Sequence, residues 1–396
     1  MTDSATAQRD PFAALKDQPA DGLLALIGLY RNDPRPEKID LGVGVYRNAD
    51  GQTPVMAAVK AAEQRLLTEQ TSKSYLGPEG DPVYVELLKP LAFGETLAAS
   101  KRLIGVQTPG GTGALKLIAE LLKLTGSRVF VGTPTWPNHG PIFKSAGVEV
   151  IEHPFFDKAT QTVLFDEMMA ALKAARAGDA VLLHGCCHNP AGAEFTAPQW
   201  QALNAFILER GLLPVIDLAY QGLGNGLEDD ARATRALLAT VPNALIAYSC
   251  DKNFGLYRER VGAIYALAAT EAMAQRILGN ILVIARTHWS MPPDHGGAIV
   301  RVILQDADLT QVWKDELAET QSRLVELRTL LAASHPRLAP MAAQTGMFSL
   351  LPLTPDQVTS LREHHGIYMA GSGRINIAGL TVENIPVLAT ALSPYL

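Results

Sequence analysis

An α/β fold, with a large domain whose mostly parallel, doubly covered sheet is joined to a smaller α+β domain, is predicted by three observations. Short apolar runs alternate with stretches of helical spacing through the middle of the chain. Residues of chemical interest stand repeatedly just after those runs, where the carboxyl ends of parallel strands carry ligands. Beyond about Glu316 a long amphipathic helix gives way to short strands and turns. At 396 residues the chain exceeds what one compact core usually holds. The expected division is 45–315 for the large cofactor-binding domain, and 1–44 with 316–396 for the small one.

The bulk composition narrows the function classes. Hydrophobic residues make up 47% and charged residues 19%, a globular balance. The net charge is −6, and no basic tract is longer than Arg258 to Arg260, so nucleic acid is not an expected partner. Cys186, Cys187 and Cys250 are the cysteines; adjacent ones rarely bridge each other, which points to reduced thiols and a cytoplasmic protein. The stretch from Met1 to Pro19 is polar and lacks the apolar core of a secretion signal. No run approaches the ~18 apolar residues of a membrane span, so no membrane is expected.

In chain order, a helix is expected from Gly22 to Tyr30, then a proline-rich connector from Asp33 to Pro36. The glycines of Asp40-Leu41-Gly42-Val43-Gly44-Val45-Tyr46 let backbone pass close to a chain segment or a ligand. Helical spacing covers Met56 to Glu69 and Val83 to Phe93, and the loop between them carries Tyr75 among turn formers. A glycine-rich turn, Gly110-Gly111-Thr112-Gly113, leads into an apolar-periodic helix from Ala114 to Leu124. Free backbone N–H groups there, with the Thr112 hydroxyl, make an anion seat. It is no nucleotide P-loop, because the G-K-[ST] ending is absent. Nor is it G-x-G-x-x-G, because Lys116 stands where the last glycine belongs.

Candidate strands follow at Arg128–Gly132, Val148–Glu152, Ala180–His184, Leu213–Ile216, Ala244–Ala247 and Gly262–Ala266. Thr135-Trp136-Pro137-Asn138-His139 comes after the first, Gly185-Cys186-Cys187-His188-Asn189-Pro190 after the third, and Asp217-Leu218-Ala219-Tyr220 after the fourth. After the fifth comes Lys252, with Ser249 three residues before it and Arg260 eight after it. A lysine whose surroundings lower its basicity becomes a nucleophile, while the hydroxyl and guanidinium hold a phosphate beside it. Singly these residues have plain explanations: Trp136 as a core aromatic, His139 as a satisfied loop histidine, Asp217 as a helix cap. Cys186, Cys187 and His188 are poorly spaced for a closed zinc site, and no metal is expected. Brought to one site, a lysine, a phosphate seat, an aspartate, a tyrosine, an asparagine and a tryptophan form nearly the set that pyridoxal phosphate requires.

The motifs LGVGVY, PGGTGAL, PTWPNH, HGCCHNPAG, DLAYQG, KNFGLYRERVG and GRINIAGL carry a resemblance over about Ile39 to Leu380. The chain resembles fold-type-I aminotransferases of the aspartate and aromatic amino acid group, and HGCCHNP resembles the aromatic-specific members most. The resemblance implies pyridoxal 5'-phosphate bound covalently to Lys252, which also transfers protons. It implies Asp217 against the ring nitrogen with His139 behind it, Asn189 and Tyr220 at the phenolic oxygen, and Trp136 on the ring face. Gly110, Gly111, Thr112, Ser249 and Arg260 would hold the phosphate, with Tyr75 reaching in from a partner subunit. Arg374 would clamp the substrate α-carboxylate beside Gly44, and Arg286 would cross from the other subunit to a distal carboxylate. The active site would then need a homodimer.

Two positions depart from the pattern. Asp251 stands where relatives carry a small or hydroxyl residue, and it is expected to turn away from the phosphate. Met291 replaces an asparagine of aspartate-specific relatives, which should free Arg286 to be displaced by an aromatic side chain. The expected function is transfer of the amino group of tyrosine or phenylalanine, and also of aspartate, to 2-oxoglutarate. An aspartate-preferring enzyme is the alternative. Lyase or decarboxylase chemistry on the same cofactor fits the two arginines less well, and a non-catalytic regulator lacks room for a DNA-binding module.

Overall fold

A computed structural model describes residues 10–17 and 22–396 of the chain. Residues 1–9 and 18–21, most of the polar leading stretch, lie outside the described residues. At the centre is a seven-stranded sheet. Its strands are β1 (Leu103–Pro109), β2 (Val129–Thr133), β3 (Val150–Pro154), β4 (Ala180–His184), β5 (Leu213–Leu218), β6 (Ala244–Ser249) and β7 (Val261–Leu267). Their order across the sheet is β1-β7-β6-β5-β4-β2-β3. Five of these, β2 to β6, pair in parallel with their neighbours of that set. β7 alone runs against both its neighbours, β1 and β6.

β4 to β7 are almost wholly buried along their length, and their residues read as near-continuous apolar runs because helices cover both faces. Two apolar clusters result, one on each side of the sheet. Every strand expected from sequence is present within about two residues at its ends. β1 was not expected: Gly105, Gln107 and Pro109 interrupt the apolar run of Leu103-Ile104-Gly105-Val106-Gln107-Thr108-Pro109, and its pairing with β7 at every one of these positions holds it in the sheet.

The helix after β1 starts at Gly110 rather than Ala114 and runs to Thr125. Gly110 takes a positive φ of 68°, which favours glycine. Gly262 must also be glycine, because a Cβ there would sit 2.5 Å from the Gly110 carbonyl carbon. β7 can therefore lie against the helix start.

The long helix expected from Glu316 begins at Ala307 and ends at Ala333. Asp306 caps it, its carboxylate accepting from the N–H groups of Asp308 and Leu309. The boundary expected after residue 315 falls within this helix. Beyond it, Ile39–Asp40 pairs in parallel with Ile367–Tyr368, and Phe348–Leu350 pairs antiparallel with Arg374–Asn376. The N-terminal segment thus joins the C-terminal part. Among the described residues no helix is long and apolar enough to cross a membrane.

Trp313, on the long helix, is fully buried and stacks on Phe254 with ring centroids 4.3 Å apart. Its Nε1–H donates to the Asn253 carbonyl at 2.8 Å, so the helix is bolted to the residue after Lys252. Trp313→Ala should destabilise the protein by about 3–5 kcal/mol, read as a lower urea midpoint; a shift within the error of the wild-type midpoint would contradict this packing role.

Candidate active site

The sheet decides where the chemistry gathers. β1, β2, β4, β5 and β6 all end at one edge, and β7, running the other way, begins there. The first turn of the helix Gly110–Thr125, the Trp136 loop, Asn189, Asp217, Lys252 and Arg260 are therefore delivered to the same side. They surround a cavity of about 320 Å³. Gly111, Thr112, Trp136, Asn189 and Asp217 line it, with Tyr220, Ser249, Lys252 and Arg260. Gly44 and Arg374 close it from the smaller part of the chain.

Asp217 is buried, and its Oδ2 lies 2.9 Å from Nε2 of the fully buried His139. Nδ1 of that histidine meets the Thr135 hydroxyl at 2.8 Å, which fixes the ring. Burial pushes the Asp217 carboxyl up, but the hydrogen bond with His139 and the nearby charge of Lys252 outweigh it, and the group stays below the usual carboxylate range. His184 is pushed down to about 3, by burial and by neighbouring His139, so it stands neutral against the cavity.

Lys252 opens into the cavity with its ammonium 5.2 Å from the centre of the Tyr220 ring. Burial lowers its pKa below 10.5; Asp251 and Asp217 pull it up and Arg260 pulls it down, with a net fall. Asn189 Nδ2 donates to the Tyr220 hydroxyl at 3.2 Å. The Tyr220 phenol is held protonated, first by burial and then by Asp217, against the opposing Asn189 bond and Arg374. Arg374 lies over the Phe348 ring at 4.6 Å and donates one Nη2–H to the Gly42 carbonyl at 3.0 Å. Its Nε, like Oδ1 of Asn189, is buried without a hydrogen-bond partner. Such groups are costly unless something enters to pair with them.

The glycine-rich helix start reaches the cavity, where Gly111 and Thr112 line the wall. No side chain caps the helix Gly110–Thr125, so its first N–H groups face the cavity. Ser249 Oγ lies 3.8 Å from where a Gly111 Cβ would stand. Asp251 does not turn away. It lines the cavity and binds Arg260, because the β7 backbone N–H of Val261 holds its other oxygen at 3.0 Å.

Tyr75 and Arg286 are not brought to this cavity. Tyr75 is 94% exposed. Arg286 is exposed and donates to the Ser290 hydroxyl at 2.6 Å. Sequence reasoning also passed over Tyr257, which lines the cavity and whose hydroxyl accepts from the Tyr46 N–H at 2.9 Å. Its place in the loop between Lys252 and Arg260 was the available signal. Two buried groups bring possible metal ligands within 4.8 Å of one another: His139, His184 and Asp217, and Cys186, Cys187 and Asp230. Asp217 is bound to His139, and Asp230 accepts the N–H groups of Gly222, Gly224 and Asn225.

Comparison with known proteins gives the family. The sequence pattern of "Aminotransferase class I and II" matches residues 36–392. A tyrosine aminotransferase of Rhizobium meliloti (strain 1021) is 53% identical over 96% of this chain and 98% of its own length. An aspartate aminotransferase of Escherichia coli (strain K12) is 42% identical over 96% of this chain and 99% of its own. The crystal structure of an aromatic-amino-acid aminotransferase from Burkholderia pseudomallei, covalently bound to pyridoxal phosphate, superposes with a TM-score of 0.94. It is 38% identical and covers 98% of this chain and 100% of its own. The protein belongs to the class I and II aminotransferases.

Proposed function

We propose that this protein is a pyridoxal-phosphate-dependent transaminase that moves the amino group of tyrosine or phenylalanine, and also of aspartate, to 2-oxoglutarate. The observation that carries the reading is Lys252, its basicity lowered, in one cavity with Asp217 and an uncapped helix start. The residues fit the cofactor. The helix start, Thr112, Ser249 and Arg260 suit a phosphate, and Gly110 leaves the room a side chain would fill. Asp217, held ionised by His139, suits a protonated ring nitrogen. Asn189 and Tyr220 suit the phenolic oxygen, and Trp136 the ring face.

When bound, the cofactor supplies an aldehyde for amines and an electron-poor ring that draws off negative charge from the substrate α-carbon. The chain's own groups do the rest. Lys252 holds the cofactor at rest and, once free, Nζ takes the proton from the amino donor's α-carbon; with the 2-oxo acid it returns one. Its lowered basicity leaves more of the amine neutral near physiological pH. Asp217 keeps a proton on the ring nitrogen, and His139 keeps Asp217 oriented and charged. Arg374 has donors to spare for a planar α-carboxylate, beside Gly44.

The aromatic preference rests on the named relatives and on a cleft of about 930 Å³ that shares Trp136 and Arg374 with the cavity. Leu26, Leu29, Pro141 and Met369 give it apolar walls suited to an aromatic side chain. An aspartate-preferring enzyme is the second reading, favoured by the aspartate aminotransferase likeness. The same proposal makes the working unit a homodimer. Tyr75 and Arg286 lie exposed outside their own chain's cavity, so only a second copy can bring them to one. It keeps 45–315 as the cofactor-holding part and joins 1–44 to 316–396, supported by the pairing of Ile39–Asp40 with Ile367–Tyr368. A cytoplasmic setting suits three unbridged cysteines.

An amino-donor panel with 2-oxoglutarate tests the reading. Tyrosine and phenylalanine should turn over at rates comparable to or above aspartate; turnover of aspartate alone would give the second reading its place. Asp217→Ala should lower kcat by roughly 10²–10³-fold, and Arg374→Ala should raise KM for every donor about a hundredfold. A normal kcat in the first variant would remove Asp217 from the ring nitrogen.

Lys252 should also show its lowered basicity directly. Burial disfavours the ammonium, so the nucleophilic free amine is reached at lower pH than for an unperturbed lysine. Apoenzyme treated with trace acetic anhydride across a pH series should reach half-maximal labelling of Lys252 below pH 10.5, followed by peptide mass spectrometry. Half-labelling at or above that value would contradict the assignment.

A further inference from the structure

The anion seat already holds an anion of the chain's own. Asp251 is 3% exposed. One carboxylate oxygen accepts the Val261 N–H at 3.0 Å and the other pairs with Arg260 Nη1. A methyl group placed on Gly110 would stand 2.5 Å from Arg260 Nη2 and 2.9 Å from Asp251 Oδ2. The carboxylate therefore sits at the first residue of the helix Gly110–Thr125, whose N–H groups no side chain caps. It shares the cavity with Gly111, Thr112 and Ser249. Its own backbone N–H donates to the Ser249 hydroxyl oxygen at 3.2 Å, which ties the aspartate's residue to the seat and leaves the Ser249 O–H free to donate.

We propose that Asp251 is a tethered competitor for the phosphate of the cofactor. The inference rests on the pyridoxal phosphate reading above. A phosphate entering the seat meets a guanidinium already neutralised and a like charge a few ångströms away, in a site partly removed from water. Arg260 must be shared or surrendered, and Asp251 cannot retreat far while Val261 holds it. The chain consequently gains little from the cofactor's phosphate, and its hold on the cofactor depends more on the bond to Lys252 than the donors of the seat would require. A purely structural Asp251 makes the opposite demand. If the carboxylate served only to aim Arg260, removing it would weaken phosphate binding.

The test compares two ligands on the full-length apoenzyme. Wild type, Asp251→Ser and Asp251→Asn are each titrated with pyridoxal 5'-phosphate and with pyridoxal, following the absorbance of the lysine-bound chromophore. Asp251→Ser should tighten pyridoxal 5'-phosphate about tenfold or more and leave pyridoxal unchanged. Asp251→Asn keeps an acceptor for the Val261 N–H without the charge, and should move the same way if the serine variant misfolds. Inorganic phosphate should raise the melting temperature of the apo variants more than that of apo wild type. An unchanged or smaller preference for the phosphorylated ligand overturns the proposal, as does equal tightening of both ligands, which would place the effect at Lys252. A wild type that binds neither ligand sinks the cofactor reading itself, and is told apart by the pyridoxal arm.

Discussion

The antiparallel pairing of β6 with β7, which brings together both ends of the loop that carries Lys252 and Arg260, is the constraint on which the site depends. Both strands are buried at every residue, and they are held by six paired positions from Gly262↔Ser249 to Leu267↔Ala244. The loop between them is pinned at its ends by the Cys250 N–H on the Val261 carbonyl and folded back by its own backbone bonds, so Lys252 and Arg260 share one cavity beside the start of the helix Gly110–Thr125. That helix can approach only because Gly262 and Gly110 present bare backbone to each other. Reversal of the single strand β7 is what brings an arginine, Arg260, to the cavity at the strand ends.

Around that frame the electrostatics are a balance of buried charges. Asp217 would be an expensive carboxylate without His139, whose orientation is in turn set by Thr135. Lys252 feels burial and Arg260 in one direction and two aspartates in the other. The result is an amine of lowered basicity facing an acid held in its charged form. The unpartnered Nε of Arg374 and Oδ1 of Asn189 mark the sides of the cavity where a ligand's own polar groups would complete the pairing.

Asp251 supplies the counter-charge within that scheme. Residues of the seat would serve any anion, and the aspartate answers them from within. Tyr75 and Arg286, by contrast, lie exposed and outside their own chain's cavity.

By itself the sequence determined the alternation of strands and helices, the glycine-rich helix start and the order in which Trp136, Asn189, Asp217 and Lys252 follow their strands. These are local signals: apolar periodicity, turn residues and motif spacing are written within a few residues of where they act. Tertiary structure alone decided the rest. β1 is held as a strand by its pairing with β7, and the helix capped by Asp306 began where that side chain found two free N–H groups. His139 reached Asp217 across 78 positions of chain, which no spacing rule covers and which only the family resemblance had implied. The direction of the Asp251 side chain was set by a backbone N–H on the next strand, so its expected turn away from the seat failed for a reason that lies outside its own neighbourhood in sequence.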